Sequence, residues 1–147
     1  IRRPPRSTLS SSSAASDVYK RQELERIGHQ LKPLDIVMVN TSAGDRYGKS
    51  DFLLKGCGMG REATLYLTER GVRVTGTDAW SWDAPFPLTA KKFAEEKDPS
   101  IIWEGHRAGM DIGYCHIEKL TNLENLPANG FEVSCFPFKI KNDYLII

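Results

Sequence analysis

The sequence predicts a mixed α/β fold, and three observations carry that reading. Leu34–Val39 reads LDIVMV, a short apolar run rich in β-branched residues, as a buried strand does. Arg61–Arg70 (REATLYLTER) sets Ala63, Leu65, Tyr66 and Leu67 among charges, and Gly71 follows as the expected helix stop. Val72–Thr77 then alternates Val, Arg, Val, Thr, Gly, Thr, which reads as a second strand. Strand, helix and strand together make a β-α-β element, with a right-handed crossover if the strands are parallel neighbours.

The remaining elements are placed around this unit. Arg2–Gln22 is rich in serine, holds two prolines and lacks an apolar face, so residues 1–22 are expected to be disordered. Pro4–Gln22 also resembles translated adapter sequence, which sets 1–22 apart as a leader foreign to the body, 23–147. In Glu23–Leu31, Leu24, Ile27 and Leu31 are spaced for one or two helical turns, stopped at Lys32-Pro33. Asn40–Ser50 is a polar loop. Asp78–Pro87 is loop-like, with Trp80, Trp82 and Phe86 as bulky anchors, and Leu88–Glu96 forms a short helix ended by Lys97-Asp98-Pro99. Ile101–Trp103 and Ile112–Ile117 read as strands. Thr121 is expected to cap a single turn through Leu126, closed by Pro127. Phe131–Ile140 (FEVSCFPFKI) is the last long strand, with Pro137 marking an edge or bulge. Asp143–Ile147 looks short for a further strand.

Composition bounds the function. The 147 residues suffice for one ordinary domain or a piece of a larger one, and 40% hydrophobic with 27% charged is normal globular chemistry. No stretch approaches the roughly 20 apolar residues of a membrane-spanning helix, nor is there the apolar core of a secretory signal. The net charge of +1 hides a division. Residues 1–22 hold five basic side chains against Asp17 alone; the other 125 hold 15 basic and 18 acidic. A slightly acidic body points to neither nucleic acid nor a membrane as partner. A small-molecule-handling domain is the expectation. Cys57, Cys115 and Cys135 form an odd set without C-x-x-C spacing, so all three read as reduced, mostly buried thiols of a cytoplasmic protein.

Three places could hold chemistry. Gly56-Cys57-Gly58-Met59-Gly60 precedes a helix, with Asp78 eighteen residues on, but its glycines alternate and polar Lys49–Lys55 precedes it. A dinucleotide fingerprint needs G-x-G-x-x-G directly after a strand, so a flexible entry loop is the better reading. Cys115 is followed by His116, yet neighbouring strand residues point to opposite faces, which argues against a Cys–His pair. Between Glu104 and Glu118 lie His106, Asp111 and His116, donors suited to Zn²⁺ or Mn²⁺ in an open site. His116 and Glu118, two apart on a strand, share a face; His106 joins Glu118 only if the turn around Gly109–Asp111 brings the segments together. From the residues alone, surface hydrogen bonds explain these histidines better than a metal does.

The order and spacing of several blocks add to this. Asp35-Ile36-Val37, Gly71–Asp78, Glu104-Gly105-His106-Arg107, Glu118–Leu123, Leu126-Pro127 and Gly130–Val133 together resemble the C-terminal half of the cyclase family. These metal-dependent hydrolases include bacterial kynurenine formamidase and isatin hydrolase, and the resemblance runs from about Glu23 to Lys141. It implies a swivelling β/β/α domain, incomplete here, in homo-oligomers. It also implies a divalent cofactor, Zn or Mn, with His106 and Glu118 as metal ligands, and a small-molecule amide substrate, N-formyl or cyclic. The implied chemistry is metal-assisted hydrolysis, in which the ion acidifies a water and polarises the carbonyl.

The family's upstream H-x-x-x-H-x-D stretch is absent, since His29 sits in an unrelated I-G-H-Q context. A family catalytic histidine belongs to that upstream portion, so no residue here is assigned a catalytic or cofactor-binding role. His116 falls where the family has no ligand and is left as a strand side chain. Trp80, Trp82 and Phe86 read as core anchors, with an aryl pocket as the alternative. With only two ligands, the chain is expected to bind metal weakly and to be inactive. The competing reading is a non-catalytic binding or assembly protein on the same fold.

Overall fold

The computed structural model describes residues 21–136 and Lys141. Among them, three short strands form one parallel sheet in the order β1-β2-β3: β1 (Ile36–Val39), β2 (Val74–Thr77) and β3 (Cys115–Ile117). Ile36 lies opposite Val74 and Val39 opposite Thr77, while Val74 lies opposite Cys115 and Gly76 opposite Ile117. The mixed α/β class and the β-α-β unit are therefore as the sequence indicates. Helices are α1 (21–26 as described), α2 (Arg61–Thr68), α3 (Phe86–Glu96) and α4 (Glu104–Ala108).

The core sits between β1 and α2. Val37, Val39, Met59, Ala63, Leu67, Val72 and Trp82 form one buried cluster. Helix α2 turns its polar buried residues to use: Thr64 Oγ1 donates to the Gly60 carbonyl and Thr68 Oγ1 to that of Thr64, so neither hydroxyl is left unpaired in the core. The helix ends as its glycine predicts. Gly71 N–H donates to the Thr68 carbonyl and Val72 N–H to that of Leu67, with Gly71 at φ 87°, a Schellman closure. In helix α1 Leu24 is buried, and the Arg21 guanidinium lies over the Tyr66 ring of α2.

Buried Asp78, just after β2, ties two loops together. Its carboxylate accepts from the Thr41 amide and hydroxyl at 2.7 Å each and from the Gly44 amide at 3.0 Å. These bonds fix the chain leaving β1 against the chain leaving β2.

Several expectations are corrected. Arg21 and Gln22, placed in the disordered leader, belong to helix α1; residues 1–20 lie outside the described residues. Ile101–Trp103 is not a strand. Asp98 accepts from the Ser100 amide and starts a 3-10 turn over Pro99–Ile101, and Trp103 takes a left-handed conformation before α4. Proline at the first position of that turn outweighs the apolar run that suggested a strand. The turn after β3 is Leu123–Asn125, and it begins at Asn122 with φ 62°, without a side-chain cap from Thr121. Of the expected strand Phe131–Ile140, residues 131–136 are irregular and 137–140 lie outside the described residues, as does the Asp143–Ile147 expectation. The cysteines are free but not mostly buried: Cys57 and Cys135 are exposed and Cys115 is half-buried. Of the three aromatic anchors, Trp82 alone is in the core; Trp80 and Phe86 are exposed. No helix among the described residues is long and apolar enough to cross a membrane.

Candidate metal centre

His106, His116 and Glu118 come together at the carboxyl end of the sheet, where open parallel sheets place their ligands. Each offers one donor atom, and the three atoms lie within 4.8 Å of one another. His116 is on β3, and Glu118 follows the strand by one residue, so both project from the same face. Glu118 Oε1 is 3.4 Å from His116 Nε2 and 3.9 Å from His106 Nε2. The turn between α4 and β3 does fold His106 back onto the strand. The two expected ligands thus meet, and His116, set aside as a strand side chain, stands with them. The other carboxylates of the segment behave differently. Asp111 pairs with Arg61, tying the turn after α4 to the start of α2, and Glu104 lies in the first turn of α4, outside the donor cluster.

The loop Asp78–Pro85 supplies the frame. The Trp82 amide donates to Glu118 Oε1 at 2.7 Å, and its indole Nε1 donates to Thr64 Oγ1 at 3.1 Å. The same indole stacks on the His116 ring, centroids 6.0 Å apart and planes at 15°. Trp103 lies over His106 at 4.8 Å from the solvent side, while Tyr114 flanks His116 and donates its hydroxyl to the Gly105 carbonyl. Asp83 holds His106 through Nδ1.

Close backbone approach makes this arrangement possible. A Cβ on Gly58 would stand 1.9 Å from the Ala84 nitrogen, and one on Gly105 would stand 2.4 Å from the Met59 carbonyl oxygen. The Gly56–Gly60 run therefore serves as the seat on which the Trp82–Ala84 loop lies, with the Met59 amide bonded to the Trp82 carbonyl.

Electrostatics suits a cation. Burial works to raise the Glu118 pKa, but the His116 imidazole, the Trp82 amide and the Lys119 ammonium outweigh it and hold the carboxyl at about 2. Glu118 is thus anionic across the ordinary pH range. The Asp83 carboxylate, against the effect of burial, holds the His106 imidazole above its ordinary value. Burial pushes the Cys115 thiol up, aided by Cys135, which leaves it a poor nucleophile. Two imidazoles, that of His106 held at Nδ1 by Asp83, and one anionic carboxylate make a three-donor set of the kind that open zinc and manganese sites use.

A family model described as "Putative cyclase" matches residues 8–84, 77 of the 147. The chain belongs to this cyclase family. Neither a curated protein nor a solved structure matches it. Within the cyclase match fall the Asp35–Val37 and Gly71–Asp78 blocks, together with Trp82 and Asp83. His106, His116 and Glu118 lie beyond it, so the fold and their own contacts are what bring them together.

Asp83 carried no mark as a site residue in the sequence. The signal available was chemical: a ligand histidine ordinarily donates its second ring N–H to a carboxylate or carbonyl. For His116 the signal in the sequence is the two-residue spacing to Glu118, at a position where the family resemblance implies no ligand.

Proposed function

We propose that this chain carries part of the metal centre of an amide hydrolase, with His106, His116 and Glu118 as its ligands. The observation that carries the reading is the convergence of three donor atoms within 4.8 Å of one another, one of them on a carboxylate that its neighbours keep ionised. When bound, a divalent ion supplies Lewis acidity, polarising a carbonyl and acidifying water. The chain's own residues do the rest. Glu118 and the two imidazoles hold the charge, Trp82 fixes the Glu118 carboxylate, and Trp103 and Tyr114 pack on the imidazole rings.

Family membership supports the finer reading. The substrate class is a small amide, N-formyl or cyclic, the ion is Zn²⁺ or Mn²⁺, the domain is a swivelling β/β/α unit, and the working form is a homo-oligomer in the cytoplasm. Three donors in place of two raise the expected affinity for metal. They do not supply the ligands or the catalytic histidine of the H-x-x-x-H-x-D stretch, since the sequence has only three histidines.

Calorimetric titration of the full chain with Zn²⁺ and with Mn²⁺ tests this. One ion is expected per chain, with binding weakened at least tenfold by His106→Ala, His116→Ala or Glu118→Gln. The chain alone is expected to show no saturable hydrolysis of N-formylkynurenine. Absence of binding, or binding that the three variants leave unchanged, would favour a non-catalytic binding or assembly protein on the same fold.

A further inference from the structure

We propose that Asp83 is the positioning residue of His106: it sets the tautomer and the orientation that turn Nε2 toward His116 and Glu118. The inference rests on the reading of that cluster as a metal centre. One carboxylate makes three contacts on one element. Asp83 Oδ1 accepts from the Gly105 amide at 2.5 Å; Oδ2 accepts from the His106 amide at 3.3 Å and meets His106 Nδ1.

The need for an outside acceptor follows from local structure. Helix α4 is preceded at its N-cap by Trp103, which takes φ 59° and gives no side-chain cap, so the first amides of the helix lack their usual partner. Asp83 reaches across from the loop after β2 and takes that place. An ionised carboxylate can only accept. The proton of a neutral His106 imidazole therefore lies on Nδ1, and the lone pair lies on Nε2, the atom 3.9 Å from Glu118 Oε1. The same contacts that cap the helix fix the ring, because His106 is both the capped amide and the held imidazole. The Asp83 side chain is only 12% exposed, so water competes little for these bonds.

Capping alone and ring positioning are separable by Asp83→Asn. Asparagine caps helices about as well as aspartate, and its oxygen can still accept from Gly105. Its amide then donates where Oδ2 accepted, which gives up the long 3.3 Å contact with the His106 amide, keeps the shorter one to Gly105, and forces the His106 proton from Nδ1 to Nε2. Long-range ¹H–¹⁵N correlation spectra of the metal-free 147-residue chain, at a pH where its imidazoles are neutral, read the tautomer directly. Wild type is expected to show His106 protonated on Nδ1, and the variant on Nε2. The metal-free unfolding midpoints should nearly coincide, while Zn²⁺ affinity by calorimetry falls roughly 10- to 100-fold in the variant. Wild-type His106 protonated on Nε2 would overturn the proposal, as would a variant that keeps the Nδ1 proton or binds zinc as tightly as wild type. Should the variant not fold, the wild-type spectrum alone decides. Should wild type bind no zinc, the metal-centre reading fails, and the spectra still show whether Asp83 sets the imidazole.

Discussion

At His29 and Asp35 the chain shows on a small scale the chemistry used at its centre. Asp35 Oδ2 accepts from His29 Nε2 at 2.8 Å and from the Lys32 amide at 2.9 Å, clasping the segment between α1 and β1. The His29 imidazole, then the Lys32 amide, hold the Asp35 carboxyl below its ordinary range, and burial opposes them weakly. A carboxyl lowered by folding stabilises the protein above its unfolded value, about 3.9, and loses that contribution as pH falls through the folded value. Asp35→Asn should therefore destabilise at neutral pH, and the gap to wild type should close as pH drops below about 4. Urea midpoints measured from pH 7 to pH 2 check this; a gap that widens toward acid would refute it. The central carboxylate Glu118 was legible through the Glu118–Leu123 block that resembles the cyclase family; its spacing of two from His116 placed both on one strand face but did not mark a metal. Asp83 was not legible, because its partners lie more than twenty residues away and only the folded loop brings them near.

At the scale of elements, α2 and its flanking strands were readable because each obeys a local rule: an apolar β-branched run, an amphipathic turn, a glycine at the helix end. The region Pro99–Ala108 was not. There the run Ile101-Ile102-Trp103 imitates a strand, while Asp98 and Pro99 start a 3-10 turn and Asp83 supplies the cap of α4 from outside the segment. Long-range partners of this kind leave no periodicity to read. The Gly56–Gly60 run had visible punctuation but not a visible purpose, which is contact with the backbone of Ala84. Gly58→Ala is predicted to displace the Asp83–Ala84 loop. A destabilisation of about 1–3 kcal/mol is the cost of such overpacking, seen in urea unfolding, and zinc affinity should drop with it. Stability equal to wild type would show that the loop has room the structure does not allow.

On the scale of the whole molecule, the buried cluster lies between β1 and α2, and α3 stands apart from it. None of the α3 residues is buried, and Phe86 and Leu88 are 59% and 49% exposed. The sequence marked Phe86 as an anchor because large aromatics usually bury; nothing in a single chain says which of three neighbouring aromatics the core will take. Phe86→Ala and Leu88→Ala should each change stability by no more than about 0.5 kcal/mol, and a loss of several kcal/mol in urea unfolding would place α3 in the core after all. The two halves of the centre have unequal histories along the chain. Strand β2 and the Trp82–Asp83 loop belong to a local β-α-β unit, whereas His106, His116 and Glu118 arrive on α4 and β3 from beyond α3. Contacts of greater sequence separation form later as a rule, since the chain must close a longer loop to make them. The donor set is therefore complete only once β3 has docked on β2. An ion held there would act on a chain that has already found its fold: it would lengthen the lifetime of the finished state and leave the rate of reaching it unchanged.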